Sequence, residues 1–197
     1  MKNDISRLTP CPFSVLPFTL SPQLFALTPL PFAGPMLTIR KAREDDCDSI
    51  SRVHVSAVRA IPAGYYSPEE IEAFAAPRPV ERYQEFIQTR DVYVALSGDV
   101  IVGFGILNRE TTVIEAVFAS PEAKGQRVGL TLLQTLEELA RSLEIKTLSL
   151  NASLNAVGFY LKAGYEAQEE SNYQLSSGVT IRCVPMIKPL VSESRAT

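Results

Sequence analysis

Ser120-Pro121-Glu122-Ala123-Lys124-Gly125-Gln126-Arg127-Val128-Gly129-Leu130 lies between an apolar, strand-like run, Val113 to Ala119, and an amphipathic helix pattern, Leu130 to Leu143. A strand that ends in a glycine-bearing turn and opens a helix is suited to anions. The first helical turn leaves backbone N–H groups unpaired, and the helix dipole adds about half a positive charge there. Gly125 and Gly129 let a guest approach the backbone. The stretch predicts a phosphate or pyrophosphate guest. A turn that only redirects the chain is the alternative. No G-x-x-x-x-G-K-[ST] and no G-x-G-x-x-G occurs, so neither a Walker loop nor a dinucleotide fold is supported.

Outward from the turn, the helix carries Leu132, Leu133, Leu136, Leu139, Ala140 and Leu143 on one face, with Gln134, Glu137, Glu138 and Arg141 elsewhere. Thr147 to Leu150 reads as a strand, Ala156 to Ala163 as a short helix closed by Gly164, and Tyr173 to Leu175 with Val179 to Lys188 as a hairpin. Upstream, Val92 to Leu96 and Val100 to Leu107 form a hairpin across Ser97-Gly98-Asp99, and Thr111 to Ala119 extends it to a meander. Earlier still, Met36 to Arg40 is a strand and Glu44 to Ile61 a helix with an acidic start. Ser67-Pro68-Glu69-Glu70 offers a cap, a first-turn proline and a capping box for a helix over 68–75, and Val80 to Gln88 is another helical piece. The order implies an α+β fold, a mixed and mostly antiparallel sheet flanked by helices.

The whole chain narrows the function classes. Its 197 residues suffice for one domain plus an extension. A net charge of −3 argues against a general nucleic-acid binder. No apolar run is long enough to span a membrane. Cys11, Cys47 and Cys183 are scattered and the chain has one histidine, so neither a disulfide framework, a zinc site nor any other metal site is expected, and a cytoplasmic setting is the default.

Residues 1–35 stand apart, holding seven of the 14 prolines. Such a density blocks helix interiors and central strands. A targeting peptide, an apolar arm carrying Phe13, Leu16, Phe18, Leu24 and Phe25, and translated upstream sequence before a start at Met36 all remain open; the last is preferred because Met36-Leu37-Thr38-Ile39-Arg40 reads at once as a first strand. The expected layout is therefore an extension over 1–35, a domain over 36–190 and a tail over 191–197.

Three pieces together resemble the GCN5-related N-acetyltransferase superfamily. Val117-Phe118-Ala119-Ser120-Pro121 with Lys124-Gly125-Gln126-Arg127-Val128-Gly129 is similar to its Gln/Arg-x-x-Gly-x-Gly/Ala strand and loop. Ala152 to Tyr165, containing Asn155-Ala156-Val157-Gly158-Phe159-Tyr160, is similar to its Asn-Ala-x-x-Phe-Tyr-x-x-x-Gly-Phe element, and Leu37-Thr38-Ile39-Arg40-Lys41-Ala42 to its first strand. The resemblance implies acetyl-CoA as cosubstrate. Its pyrophosphate would rest on the amides of Gly125, Gln126, Arg127, Val128, Gly129 and Leu130, its pantetheine near Phe118 and Ala119 where two parallel strands splay, with Asn155 hydrogen-bonded to the pantetheine. Lys124 replaces the usual Gln or Arg and keeps a cation by the phosphates. Arg127 replaces the central glycine, on the expectation that a helical backbone there does not need one.

The same resemblance gives Tyr160 the role of acid to the departing sulfur; a phenol with a pKa of about 10 is protonated at neutral pH. Packing of the short helix is the plainer role. Glu115, in mid-strand between Ile114 and Ala116, is a candidate base, directly or through water, and could equally be a paired surface acid. His54 is a weaker base candidate, since a lone helical histidine is more often surface or core. Tyr65 and Tyr66 could shape the acceptor pocket or simply cover the sheet. These readings point to acetyl transfer onto an amine of a small molecule or protein, including protein N-termini. The rival is an acetyl-CoA-binding or interaction module without turnover. A homodimer is expected by family analogy alone.

Overall fold

The computed structural model describes residues 37–190; the Pro-rich extension, the start at Met36, Cys11 and the tail from 191 fall outside the described residues. Eight strands form one sheet in the order β1 (Leu37–Lys41), β2 (Asp91–Ser97), β3 (Val100–Asn108), β4 (Val113–Ala119), β5 (Thr147–Ser153), β8 (Thr180–Pro189), β6 (Glu166–Ala167), with β7 (Ser171–Gln174) also paired on β8. Every pairing is antiparallel except β4 with β5. This is the mixed α+β sheet that the element order implies. The two-residue β6 was not foreseen; it is too short to carry an alternation.

The helices are α1 (Cys47–Arg59), α2 (Pro68–Ala75), α3 (Val80–Thr89), α4 (Val128–Ser142) and α5 (Val157–Lys162). At α2 the capping box forms as the sequence predicts. Ser67 Oγ accepts from the Glu70 amide at 3.2 Å, and the Ser67 amide donates to Glu70 Oε2 at 2.7 Å. On one face of the central strands, Ile50, Val53, Tyr83 and Phe86 from α1 and α3 bury Val92, Val94, Phe104 and Ile106. Leu133, Leu136 and Ala140 of α4 pack with Leu148, Leu150 and Met186 in a separate cluster.

Not all of the polar face of α4 is solvated. Glu137 is buried and takes Lys188 Nζ at 2.7 and 2.8 Å, while the same Nζ donates to the Ala163 carbonyl at 2.7 Å. A buried pair is stable only when its remaining bonds are satisfied. Here the lysine ties α4, β8 and the end of α5 together.

Two features of β4 position the site. Its pairing with β5 is one bridge, Val113 opposite Ser149, after which the strands part. Its ladder with β3 also jumps: Ala116 faces Ile106 and Ile114 faces Leu107, leaving Glu115 as the extra residue of a β-bulge. Bulges re-aim the side chains they carry.

Candidate active site

The parting of β4 and β5 opens a cleft of about 790 Å³. Its walls include Glu115, Val117 and Phe118 from β4, Asn151 and Ser153 from β5, and Tyr160 from α5. The separation begins just past Val113 rather than near Phe118 and Ala119, because the single bridge lies at the start of β4. A second cavity of about 690 Å³ lies beside the glycine turn, lined by Ala119, Lys124, Gly125, Arg127, Val128, Gly129 and Leu130 and by Phe159 and Lys162 of α5.

In the turn, the amides of Gly125, Arg127, Val128, Gly129 and Leu130 have no acceptor among the described residues, whereas the Gln126 amide is spent on the Ala123 carbonyl at 3.1 Å. Gln126 is thus the one member of the expected cradle whose N–H is engaged. Gly125 has φ +88°, a conformation that side chains strain. The expectation of a helical backbone at Arg127 is overturned. It has φ 57° and ψ 22°, the left-handed region, and serves as N-cap of α4. The turn reverses direction just before the helix, so the position asks for glycine and holds arginine under strain. Gly129 is helical, and a Cβ there would meet only Phe159 at ordinary contact distance.

Tyr160 is buried, 7% exposed, yet its ring lines the cleft, and its hydroxyl makes no hydrogen bond among the described residues. Burial pushes the phenol well above its usual pKa, so the proton is held. Glu115 is held by two donors on one oxygen: Asn108 Nδ2 at 2.9 Å and Arg90 Nε at 3.2 Å reach Oε1. Its side chain is 28% exposed, leaving Oε2 for a guest.

The remaining candidates are placed elsewhere. His54 is 1% exposed, lies edge-on to Phe118 and Phe74, and has its Nδ1 3.4 Å from the Tyr83 hydroxyl. Burial, with the Arg78 charge adding, pulls its pKa down to about 4, so it is neutral and sits behind the cleft wall. Tyr66 is a strut: its hydroxyl donates to the Arg182 carbonyl and accepts from the Leu154 amide, both at 2.9 Å. Tyr65 is 39% exposed, and its carbonyl meets Arg182 Nη2 at 3.4 Å. Asn155 is exposed on the 3-10 turn after β5 and lines neither cavity.

Sequence reasoning missed several lining residues. Arg78, Arg82, Arg90 and Asn108 reach the cleft from the α2–α3 link, α3 and the end of β3, and Asn151 from β5. Lys162 joins Lys124 at the second cavity, which is thus lined by two lysines. Lys162 was the findable one, since it follows Phe159-Tyr160 on the motif helix; the arginines carry no local signal.

A sheet split at one parallel pair, with an anion-ready helix start on one side and a protonated phenol on the other, is the frame of an acyl-CoA-type acyltransferase. The family model of the acetyltransferase (GNAT) domain matches residues 62–190, and the chain belongs to this family. No curated protein matches the chain. Among solved structures, it is similar to a GCN5-related N-acetyltransferase from Rhodopseudomonas palustris, with 27% identity, TM-score 0.73, and coverage of 78% of this chain and 95% of that one. PaiA N-acetyltransferase from Thermoplasma acidophilum, solved with coenzyme A, shares the fold at 22% identity and TM-score 0.64, covering 78% and 99% of the two chains. YncA from Salmonella typhimurium, a putative acetyltransferase solved with acetyl-CoA, does so at 19% identity and TM-score 0.59, covering 80% and 96%.

Proposed function

We propose that this chain is an acetyl-CoA-dependent N-acetyltransferase that moves the acetyl group directly onto a primary amine. The observation that carries the reading is the cleft between β4 and β5, which gathers a free phenol, a free carboxylate oxygen and an unpaired strand edge beside the anion-ready turn. The residues present fit the cosubstrate. The free amides of Gly125 and of Arg127 to Leu130, with Lys124 and Lys162, suit a pyrophosphate, and the open edge of β4 up to Phe118 and Ala119 suits the amides of a pantetheine arm. PaiA and YncA were solved with coenzyme A and acetyl-CoA respectively, which favours the same class of ligand here.

Bound acetyl-CoA supplies the acetyl group as a thioester: the new N–C bond forms as C–S breaks and coenzyme A leaves as the thiol. Glu115 Oε2 holds the incoming ammonium and takes its proton, directly or through water, while Arg90 and Asn108 fix the carboxylate through Oε1. Tyr160 keeps its proton for the departing sulfur, since burial disfavours the phenolate. Unpaired N–H groups on β4 polarise the acyl carbonyl.

The test is thiol release from acetyl-CoA with a panel of amines. Tyr160→Phe is expected to lower kcat by about a hundredfold, within the range for general acids, with acetyl-CoA affinity unchanged. An unchanged kcat removes the acid role. Acetyl-CoA binding without thiol release from any amine makes the non-catalytic module the correct reading, to which the strained Arg127 already lends weight.

A further inference from the structure

The cleft is cationic on its acceptor side. Among the described residues the charged side chains lining it are Arg78, Arg82, Arg90 and Glu115, in a chain whose net charge is −3. Arg90 is committed to Glu115. Arg82 pairs with Glu85 at 2.6 Å, but both side chains are about half exposed, and such a pair is readily exchanged. Arg78 has no ion pair among the described residues. The guanidinium carbons of Arg78 and Arg82 lie 5.8 and 4.6 Å from the centre of the same Phe86 ring, so both cations neighbour one aromatic side chain of the wall.

These arginines do not serve the turn, because the two cavities share no lining residue and the second has its own cations in Lys124 and Lys162. The cleft therefore presents a cation pair at one place and a carboxylate oxygen, Glu115 Oε2, at another. We propose that the acceptor is a zwitterion: a small primary amine that also carries a carboxylate or phosphonate, with its anion held by Arg78 and Arg82 and its amine turned toward Glu115. The inference rests on the acetyltransferase reading above. Guanidinium forks bind planar or tetrahedral oxyanions through paired donors. The cleft's volume of about 790 Å³ falls within the small-molecule range and must also admit the acetylated end of the pantetheine. The anion takes no part in bond making: the ammonium loses one proton to Glu115 and, after the N–C bond forms, a second that replaces the one Tyr160 gives to the departing sulfur, and the amide product leaves with its anion intact.

The experiment measures thiol release by the full chain with acetyl-CoA and paired acceptors that differ only in the anion: phenylalanine against phenethylamine, and aminoethylphosphonate against ethylamine. The anionic member is expected to have the higher kcat/KM by about tenfold or more, the scale of a hydrogen bond to a charged group. Arg78→Gln is expected to raise the KM of the anionic member and collapse the ratio within each pair, with Arg78→Lys recovering part of it. Acetyl-CoA affinity, read by titration, stays constant and shows that the variants are folded. Neutral members preferred in both pairs, or an Arg78→Gln ratio equal to that of the native chain, overturns the inference and leaves the acetyltransferase reading standing. Acetylation of a peptide N-terminus but of no small acid also overturns it, in favour of a protein acceptor. No thiol release from any amine overturns the acetyltransferase reading, and the inference with it.

Discussion

His54 is the only histidine of the chain, which makes its titration separable. Burial, with a contribution from Arg78, lowers its folded pKa to about 4, against about 6.5 in the unfolded chain. Because the folded value is the lower one, the unfolded chain takes up the proton first. Stability is therefore complete above about pH 6.5 and drains away as pH falls toward about 4. Between about pH 6.5 and 5 the loss is on the order of 2 kcal/mol. Urea midpoints at pH 7.5 and 5 should show it, and His54→Phe should flatten it; an equal slope in both proteins assigns the loss to other groups. At Arg127 the balance is between two smaller quantities. Its left-handed backbone costs ~1–2 kcal/mol, while glycine adds ~0.5–1 kcal/mol of chain entropy to be lost on folding. Arg127→Gly is thus expected to stabilise the fold by about 0–1.5 kcal/mol. Acetyl-CoA affinity should shift less than about tenfold, because the amide direction is already set by the native backbone. A larger gain in affinity would show that the arginine side chain obstructs the cavity.

Among the elements, α4 matters most, because its first turn forms the second cavity and its packing on β3 fixes where that turn sits. Close approach is what Gly103 and Gly105 permit. A Cβ at Gly103 would overlap Val128 Cγ1 and stand 3.0 Å from Leu132 Cδ1, while one at Gly105 would stand 3.0 Å from Leu136 Cδ1, a movable side-chain tip. Overpacking of this kind costs about 1–3 kcal/mol. Gly103→Ala is expected to destabilise the fold and also to weaken acetyl-CoA binding, since Val128 lies in the cradle. Gly105→Ala, acting two turns further along α4, should leave the affinity of the surviving fold unchanged. Equal affinity losses in the two would mean that helix placement is not what Gly103 controls. The element level is also where the sequence was most legible. Ser67-Pro68-Glu69-Glu70, the turn at Gly125 and the Phe159-Tyr160 helix each carry their instructions within a few residues; the cap and the short helix form as read, and the turn leads from strand to helix as read but departs from the reading at Gln126 and Arg127. Glu115 was legible as a candidate but not as a bulge, because a bulge belongs to two strands at once. The left-handed Arg127 was missed because its residue type argues for the helix that it precedes. Arg78, Arg82 and Arg90 were invisible because only the tertiary path of the α2–α3 link brings them to the cleft.

At the scale of the molecule, no helix among the described residues is long and apolar enough to cross a membrane, and the family match runs over residues 62–190. Among the described residues, all that line either cavity fall between Ala60 and Cys183. A chain beginning at Met36 keeps all of the described lining residues, and the proposed chemistry is assigned to groups within it. Such a chain is expected to bind acetyl-CoA with micromolar affinity, within about threefold of the full chain, when both are titrated at neutral pH. Binding to the folded state alone also predicts a second readout. At a ligand concentration about a hundredfold above Kd, both chains should gain about 2.7 kcal/mol against urea. If the full chain binds and the shortened, folded chain does not, residues 1–35 are part of the site and the domain boundary at 36 is wrong. If neither binds, the five free amides of the turn do not form a pyrophosphate cradle in the presence of Arg127, and the acetyl-CoA reading fails at its first step. Equal affinity in the two places the whole cosubstrate site within the domain and leaves the extension to be explained by something other than catalysis.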